Sequence, residues 1–121
     1  WLETRKEVEW VNYPGLKSSK YFNLSKKYLS KGQSGIITFG VKGGYENAKI
    51  VSDKTSLFSL LANIGDTKSL IIHPASTTHQ QLNEKEQASS GVTNDLIRLS
   101  VGIEDIDDLK HDLLNAFSYI K

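Results

Sequence analysis

The chain has 121 residues, 38% hydrophobic and 24% charged, which suits one globular domain with a moderate core. Cysteine is absent, excluding disulfides, thiolate catalysis and cysteine-ligated metal, and fitting a reducing compartment such as the cytoplasm. The net charge of +1 conceals ten basic against five acidic residues over 1–60, and five against nine over 61–121. The lysines are spread over expected helix surface and turns without interleaved aromatics, so no nucleic-acid partner is expected. No apolar run approaches the roughly 18 residues of a membrane span and none resembles a signal peptide, so no membrane partner is expected either. The chain opens on Trp1 and contains no methionine, and is therefore expected to be a fragment, a processed product or a trimmed chain.

Taken in order, Val8 to Asn12 alternates weakly and ends at the turn Tyr13-Pro14-Gly15-Leu16. Residues Ser19 to Lys31 predict a helix with Tyr21, Leu24 and Tyr28 along one apolar stripe, stopped by Gly32. Ser34 to Val41 is rich in β-branched and aromatic residues and predicts a central strand. Gly43-Gly44 opens a helix reaching about Ser52. Leu57 to Ile64 and Ser69 to His73 are short extended or mixed segments either side of Gly65-Asp66. Pro74 then turns the chain into a loop rich in serine and threonine. Asn83, followed three residues later by Glu86, predicts a capped short helix to about Ser90.

Leu96 to Val101 predicts a strand closed by Gly102. Last comes an amphipathic helix, with Asp105 and Asp108 in its first turn and Ile106, Leu109, Leu113, Phe117 and Ile120 at spacings of three and four. Helices and strands interleave, but some connections are too short for a parallel crossover. The expected class is α+β, an α/β sandwich with a mainly antiparallel sheet covered by helices.

Arg98 stands out within that last strand. Alternation puts Ile97, Leu99 and Val101 on one face and Leu96, Arg98 and Ser100 on the other. An unpaired buried guanidinium is costly, so an arginine here pairs with an acid of its own chain, such as Asp95 or Glu104, snorkels to solvent from an edge, or waits for an external carboxylate. His73 and His79 straddle a proline without the spacing of a zinc pair, and His111 lies on a helix surface, so no metal site is expected. Gly40 to Gly44 lacks the spacing of a nucleotide-binding motif and reads as a tight strand-to-helix turn. The hydroxyls of Ser76, Thr77 and Thr78 either line a site or satisfy the turn they sit in.

The segments VNYPGL (11–16), SGIITFGVKGG (34–44), LFSLLANIGDTKSLIIHPASTTHQQL (57–82) and GVTNDLIRLSVGIEDIDDL (91–109) resemble the C-terminal domain of the pyridoxal-phosphate enzymes of cysteine and methionine metabolism. The resemblance covers essentially the whole chain, and HPASTTH followed by LIRLSVG is its most specific part. It implies the small C-terminal domain of the aspartate-aminotransferase-like fold type I enzymes, spanning residues 1–121. LANIGD, where synthases and lyases more often carry a serine-containing AVSLG pattern, is similar to the O-acetylhomoserine sulfhydrylase branch. The Ser18-Ser19 stretch departs from a Ser-His-Pro pattern common in the family.

By the same resemblance, pyridoxal phosphate would be held by an N-terminal domain absent from this chain, on a lysine in a Ser-x-Thr-Lys type motif that none of the thirteen lysines occupies. Arg98 would hold the α-carboxylate of a small amino-acid substrate. Asn63 would stand where the family's serine lies beside that carboxylate, and Ser76, Thr77 and Thr78 would support the pocket from behind. No catalytic, cofactor-binding or metal-binding residue is expected here, and the chain alone should be inactive. The full-length enzyme is expected to be a cytoplasmic homotetramer. Cystathionine γ-synthase, a cystathionine or methionine γ-lyase, and a non-catalytic carboxylate-binding module are the alternatives.

Overall fold

In the computed structural model, which describes residues 1–121, the β-rich runs pair into one five-stranded sheet. Its strands are β1 (Val8–Asn12), β2 (Ile36–Val41), β3 (Ser59–Leu60), β4 (Leu70–Ile72) and β5 (Leu96–Ser100), in spatial order β1-β2-β5-β4-β3. The helices are α1 (Phe22–Tyr28), α2 (Gly44–Lys54), α3 (Glu84–Ser89) and α4 (Ile106–Phe117), with 3-10 turns at Leu2–Thr4 and Pro74–Ser76. The class is α+β. No helix is long and apolar enough to cross a membrane.

Three strand pairs are antiparallel, β1 with β2, β2 with β5, and β5 with β4, so the sheet is mainly antiparallel although each of these pairs is joined by a long connection. The edge pair β3–β4 is parallel, with Ser59 opposite Leu70 and Leu60 opposite Ile71. A parallel return normally takes a dozen or more residues. Here residues 61–69 suffice because both strands are so short: Leu60 ends level with Ile71, so the chain has only about 3 Å to return along the strand before Leu70. The run expected to be the central strand, β2, lies inside the sheet but one place off its middle. The middle strand is β5, with Arg98 at its centre, opposite Thr38 on one side and Ile72 on the other.

One sheet face carries the core. Phe39 and Val41 of β2, Ile71 of β4, and Ile97 and Leu99 of β5 are buried against Ala48 and Val51 of α2 and Leu109, Leu113, Ala116 and Phe117 of α4. Phe39 and Phe117 meet edge to face, with ring centroids 6.3 Å apart. The stripe read on α4 therefore docks, except at its start. Ile106 was expected in the core but is 57% exposed, at the rim of an apolar groove with Leu2, Ile37 and Leu99, and Ile120 packs on the core from beyond the helix end.

Asp105 caps α4 by accepting from the Asp107 and Asp108 amides, and the Asn83–Glu86 capping box opens α3 as expected. Further along α4, the buried Asp112 carboxylate accepts the backbone N–H groups of Ser56, Leu57 and Phe58 at 2.7, 2.9 and 3.0 Å. It ties α4 to the segment that enters β3.

The first helix departs most from expectation. It covers seven residues rather than the span from Ser19 to Lys31. Tyr21, Leu24 and Tyr28, the supposed core stripe, face away from the core with exposures of 50%, 53% and 69%. What anchors α1 is polar: the buried Ser25 hydroxyl lies 2.8 Å from the carbonyl oxygens of both Pro14 and Phe22. Periodicity shows which residues share a side of a helix but not what that side meets.

Candidate functional site

The face of the sheet opposite α2 and α4 carries Arg98, in register with Thr38 and Ile72. Antiparallel pairing on both sides fixes the strand and hence the direction in which the side chain leaves it. Arg98 is half-buried as a residue, and its guanidinium makes one hydrogen bond, Nη2 donating to the backbone carbonyl of Asn63 at 3.2 Å. No carboxylate of the chain pairs with it; the salt bridges join Lys6 to Glu7, Lys49 to Asp53 and Lys110 to Asp107. The two acids nearest in sequence are engaged elsewhere. Asp95 accepts the Trp10 indole N–H at 2.7 Å, and Glu104 accepts from Ser69. A guanidinium has five N–H groups in a rigid fork, so four remain for a ligand, more than the two a bidentate carboxylate uses.

Asn63 belongs to residues 61–69, the short parallel return from β3 to β4. To bring its carbonyl to Arg98, this loop must cross the face of the sheet that bears Arg98. The Asn63 side-chain oxygen is occupied locally, accepting the Ile64 N–H at 2.9 Å, which leaves its NH₂ free to donate. The two residues named as carboxylate ligands are thus brought together, but through the Asn63 main chain.

Ser76, Thr77 and Thr78 are placed differently. Ser76 Oγ lies 2.8 Å from His73 Nδ1, Thr77 Oγ1 donates to the His73 carbonyl at 2.8 Å, and Thr78 Oγ1 lies 2.8 Å from His79 Nδ1. Their hydrogen bonds close the turn after Pro74, and none reaches Arg98 or Asn63. His73 organises this turn. Its Nε2 lies 2.8 Å from the Asn94 carbonyl oxygen, which can only accept, so Nε2 carries the proton and Nδ1 accepts from Ser76. The ring is fully buried, edge-on to Tyr45 at 4.9 Å. Burial pushes its pKa below the ordinary histidine value, with the bond to Asn94 opposing. Gln87, buried on α3, holds the same turn by donating to the carbonyls of Ala75 and His79.

Two further features escaped the sequence reading. The Glu104 carboxylate accepts both the backbone N–H and the hydroxyl of Ser69, each at 2.7 Å, and these bonds hold its pKa below the usual carboxylate range. Opposite Trp10, Gly40 is buried where a Cβ would run into the Asp95 carboxylate and the Trp10 indole. Residue 40 must therefore lack a side chain for that bond to form. The capping-free, turn-like position of Glu104 gave no signal in the sequence, whereas a glycine inside a β-rich run does point to a close approach.

A profile of the family described as Cys/Met metabolism PLP-dependent enzyme matches residues 1–118. The chain is 56% identical over 120 residues to O-acetyl-L-homoserine sulfhydrylase of Leptospira meyeri, covering 98% of this chain and 27% of that protein. It is 50% identical over 116 residues to homocysteine synthase of Schizosaccharomyces pombe, covering 96% of this chain and 27% of that one. Among solved structures it superposes with a TM-score of 0.88 and 52% identity on a Campylobacter jejuni protein assigned as an O-acetylhomoserine (thiol)-lyase. That match covers 97% of this chain and 28% of the other, whose crystal structure carries a pyridoxyl-lysine phosphate. The chain thus spans little more than a quarter of the length of the relatives it matches. With a profile match over nearly its whole length and a fold shared at high identity, the chain belongs to the Cys/Met metabolism PLP-dependent enzyme family.

Proposed function

We propose that the chain is the substrate-carboxylate-binding domain of an O-acetylhomoserine sulfhydrylase, which makes homocysteine and acetate from O-acetylhomoserine and sulfide. The observation that carries this reading is the Arg98 guanidinium, set on the central strand with a single main-chain partner and no acid of its own chain. The relatives' names support the branch. Arg98 would take the carboxylate in two hydrogen bonds, and the Asn63 NH₂ could add a third. Ser76, Thr77 and Thr78 would act only by shaping the turn after Pro74. The family resemblance adds a homotetramer in the cytoplasm to this reading.

The residues present do not make a cofactor site by themselves. Twelve of the thirteen lysines are exposed, and the half-buried Lys110 lies on α4, across the sheet from Arg98. No lysine of the chain sits in the Ser-x-Thr-Lys type motif of the family, which supports pyridoxal phosphate being held by the remainder of a full-length protein. When bound, the cofactor supplies the electron sink for the bond changes at the substrate. What this chain contributes is orientation. A substrate held at its amino end alone can rotate, and a bidentate hold on its carboxylate removes that freedom.

The test is Arg98→Lys in the full-length enzyme. Lysine keeps the charge but loses the fork, and a charge-assisted hydrogen bond is worth about 1.5–3 kcal/mol. The specificity constant for O-acetylhomoserine should fall by roughly ten- to a hundredfold, with cofactor content unchanged. An unaltered specificity constant refutes the clamp.

A further inference from the structure

Loop 61–69 holds the one group that anchors the Arg98 guanidinium, yet it has little packing of its own. Residues 61–65 are all exposed, and the amides of Ile64 and Lys68 bond only to neighbouring side chains, Asn63 and Asp66. The loop must therefore be positioned from its ends. At the β3 end the Ser59 amide donates to the Ser69 carbonyl at 3.0 Å. At the β4 end, four hydrogen bonds stitch Thr67 and Ser69 to the segment that follows β5. Ile103 N–H donates to the Thr67 carbonyl at 2.9 Å, and Gly102 N–H donates to Ser69 Oγ at 2.8 Å. Ser69 in turn gives both its amide and its hydroxyl proton to Glu104. Ser69 is fully buried, and a Cβ at residue 102 would run into the Thr67 carbonyl, so the two segments meet at main-chain contact.

We propose that Glu104 and Ser69 are positioning residues for the substrate carboxylate: their clasp fixes where loop 61–69 crosses the sheet, and through the Asn63 carbonyl it orients the Arg98 fork. The inference rests on the reading of Arg98 as the carboxylate clamp. If the β4 end of the loop frays, the Asn63 carbonyl drifts and the guanidinium loses its sole anchor. Its remaining N–H groups then point over a range of directions, so a carboxylate must order the side chain as it binds, at an entropic cost. Neither Glu104 nor Ser69 need touch the substrate. A carboxylate suits the clasp because Ser69 donates to both of its oxygens, its amide to Oε1 and its hydroxyl to Oε2, whereas a glutamine would present an NH₂ donor in place of one of them.

The experiment is a double-mutant cycle in the full-length holoenzyme, with O-acetylhomoserine as substrate and cofactor absorbance and Tm recorded for each variant. Glu104→Gln should lower kcat/KM roughly three- to tenfold, mainly by raising KM, with cofactor content unchanged. In an Arg98→Lys background the same change should cost little more, because both act on one element. Ser69→Ala removes the hydroxyl from the other side of the clasp and should behave alike, which covers the case in which Glu104→Gln folds poorly. If Glu104→Gln and Ser69→Ala leave kcat/KM within about twofold while Arg98→Lys loses it, the clasp is refuted and the clamp stands. If the losses multiply in the double variants, Glu104 is structural only and the proposal also fails. If Arg98→Lys itself changes nothing, the clamp reading falls first and the clasp with it.

Discussion

Asp112 offers a sharp test of how the helical layer holds the sheet edge. Its carboxylate takes three successive amides, those of Ser56, Leu57 and Phe58, at 2.7–3.0 Å from a buried position on α4. Asp112→Ala removes all three acceptors. Ser56 is exposed and its amide regains water at once; Leu57 is half-buried; Phe58 is 4% exposed and its amide would be left without a partner. An orphaned buried donor costs about 1–3 kcal/mol, and hydrogen bonds to charged groups are worth about 1.5–3 kcal/mol each. With two of the three amides partly compensated, and a gain of about 0.5 kcal/mol from alanine's helix propensity, the net loss should be about 3 kcal/mol. Asp112→Asn keeps the shape and one acceptor oxygen but turns the other into a donor facing amides, and should cost about 2 kcal/mol. Urea unfolding followed by far-UV circular dichroism reads both, and hydrogen exchange should show the Phe58 and Ser59 amides opening first. A loss below about 0.5 kcal/mol for Asp112→Ala, or a larger loss for asparagine than for alanine, would refute this account of the α4–β3 tie.

Leu113→Ala should cost about 2–5 kcal/mol, towards the lower end because Leu113 also borders an apolar groove with Trp1, Leu2 and Ile106 into which the void can open; a loss under about 0.5 kcal/mol would mean α4 does not dock as described. The buried His73 makes stability depend on pH. Its pKa is lowered in the folded state from 6.5, so the unfolded chain binds the proton more readily. Its contribution is therefore complete above that value and declines as pH falls below it. Urea midpoints should drop between pH 7.5 and pH 5.5 (values of order one unit either side of an ordinary histidine), and His73→Gln should flatten that slope; an unchanged slope would remove His73 as its source.

Much of this protein was legible from local chemistry. The Asn83–Glu86 capping box and the Asp105 cap are short-range hydrogen-bond patterns written in consecutive residues, and both form as read. The apolar period of α4 reflects burial on one side of the helix and places Leu109, Leu113 and Phe117 in the core, while the two-residue alternation of any strand sets Ile97 and Leu99 towards that core and Arg98 on the opposite face, where Leu96 and Ser100 are also buried. Family motifs supplied the rest of the assignment. Other features needed the third dimension. That Tyr21, Leu24 and Tyr28 meet no core depends on what packs beside α1, which no period within the helix encodes. That Asn63 meets Arg98 through its carbonyl depends on a parallel return only nine residues long crossing one particular face. Ser69 and Glu104 lie 35 residues apart, as do Asn63 and Arg98. Such pairs are fixed by strand register and loop path, and a contact between polar groups distant in sequence leaves no periodic trace. The elements of this domain follow from sequence because they are local; the path of the loop over Arg98, and so the shape of the site, follows only from how β3, β4 and β5 are assembled.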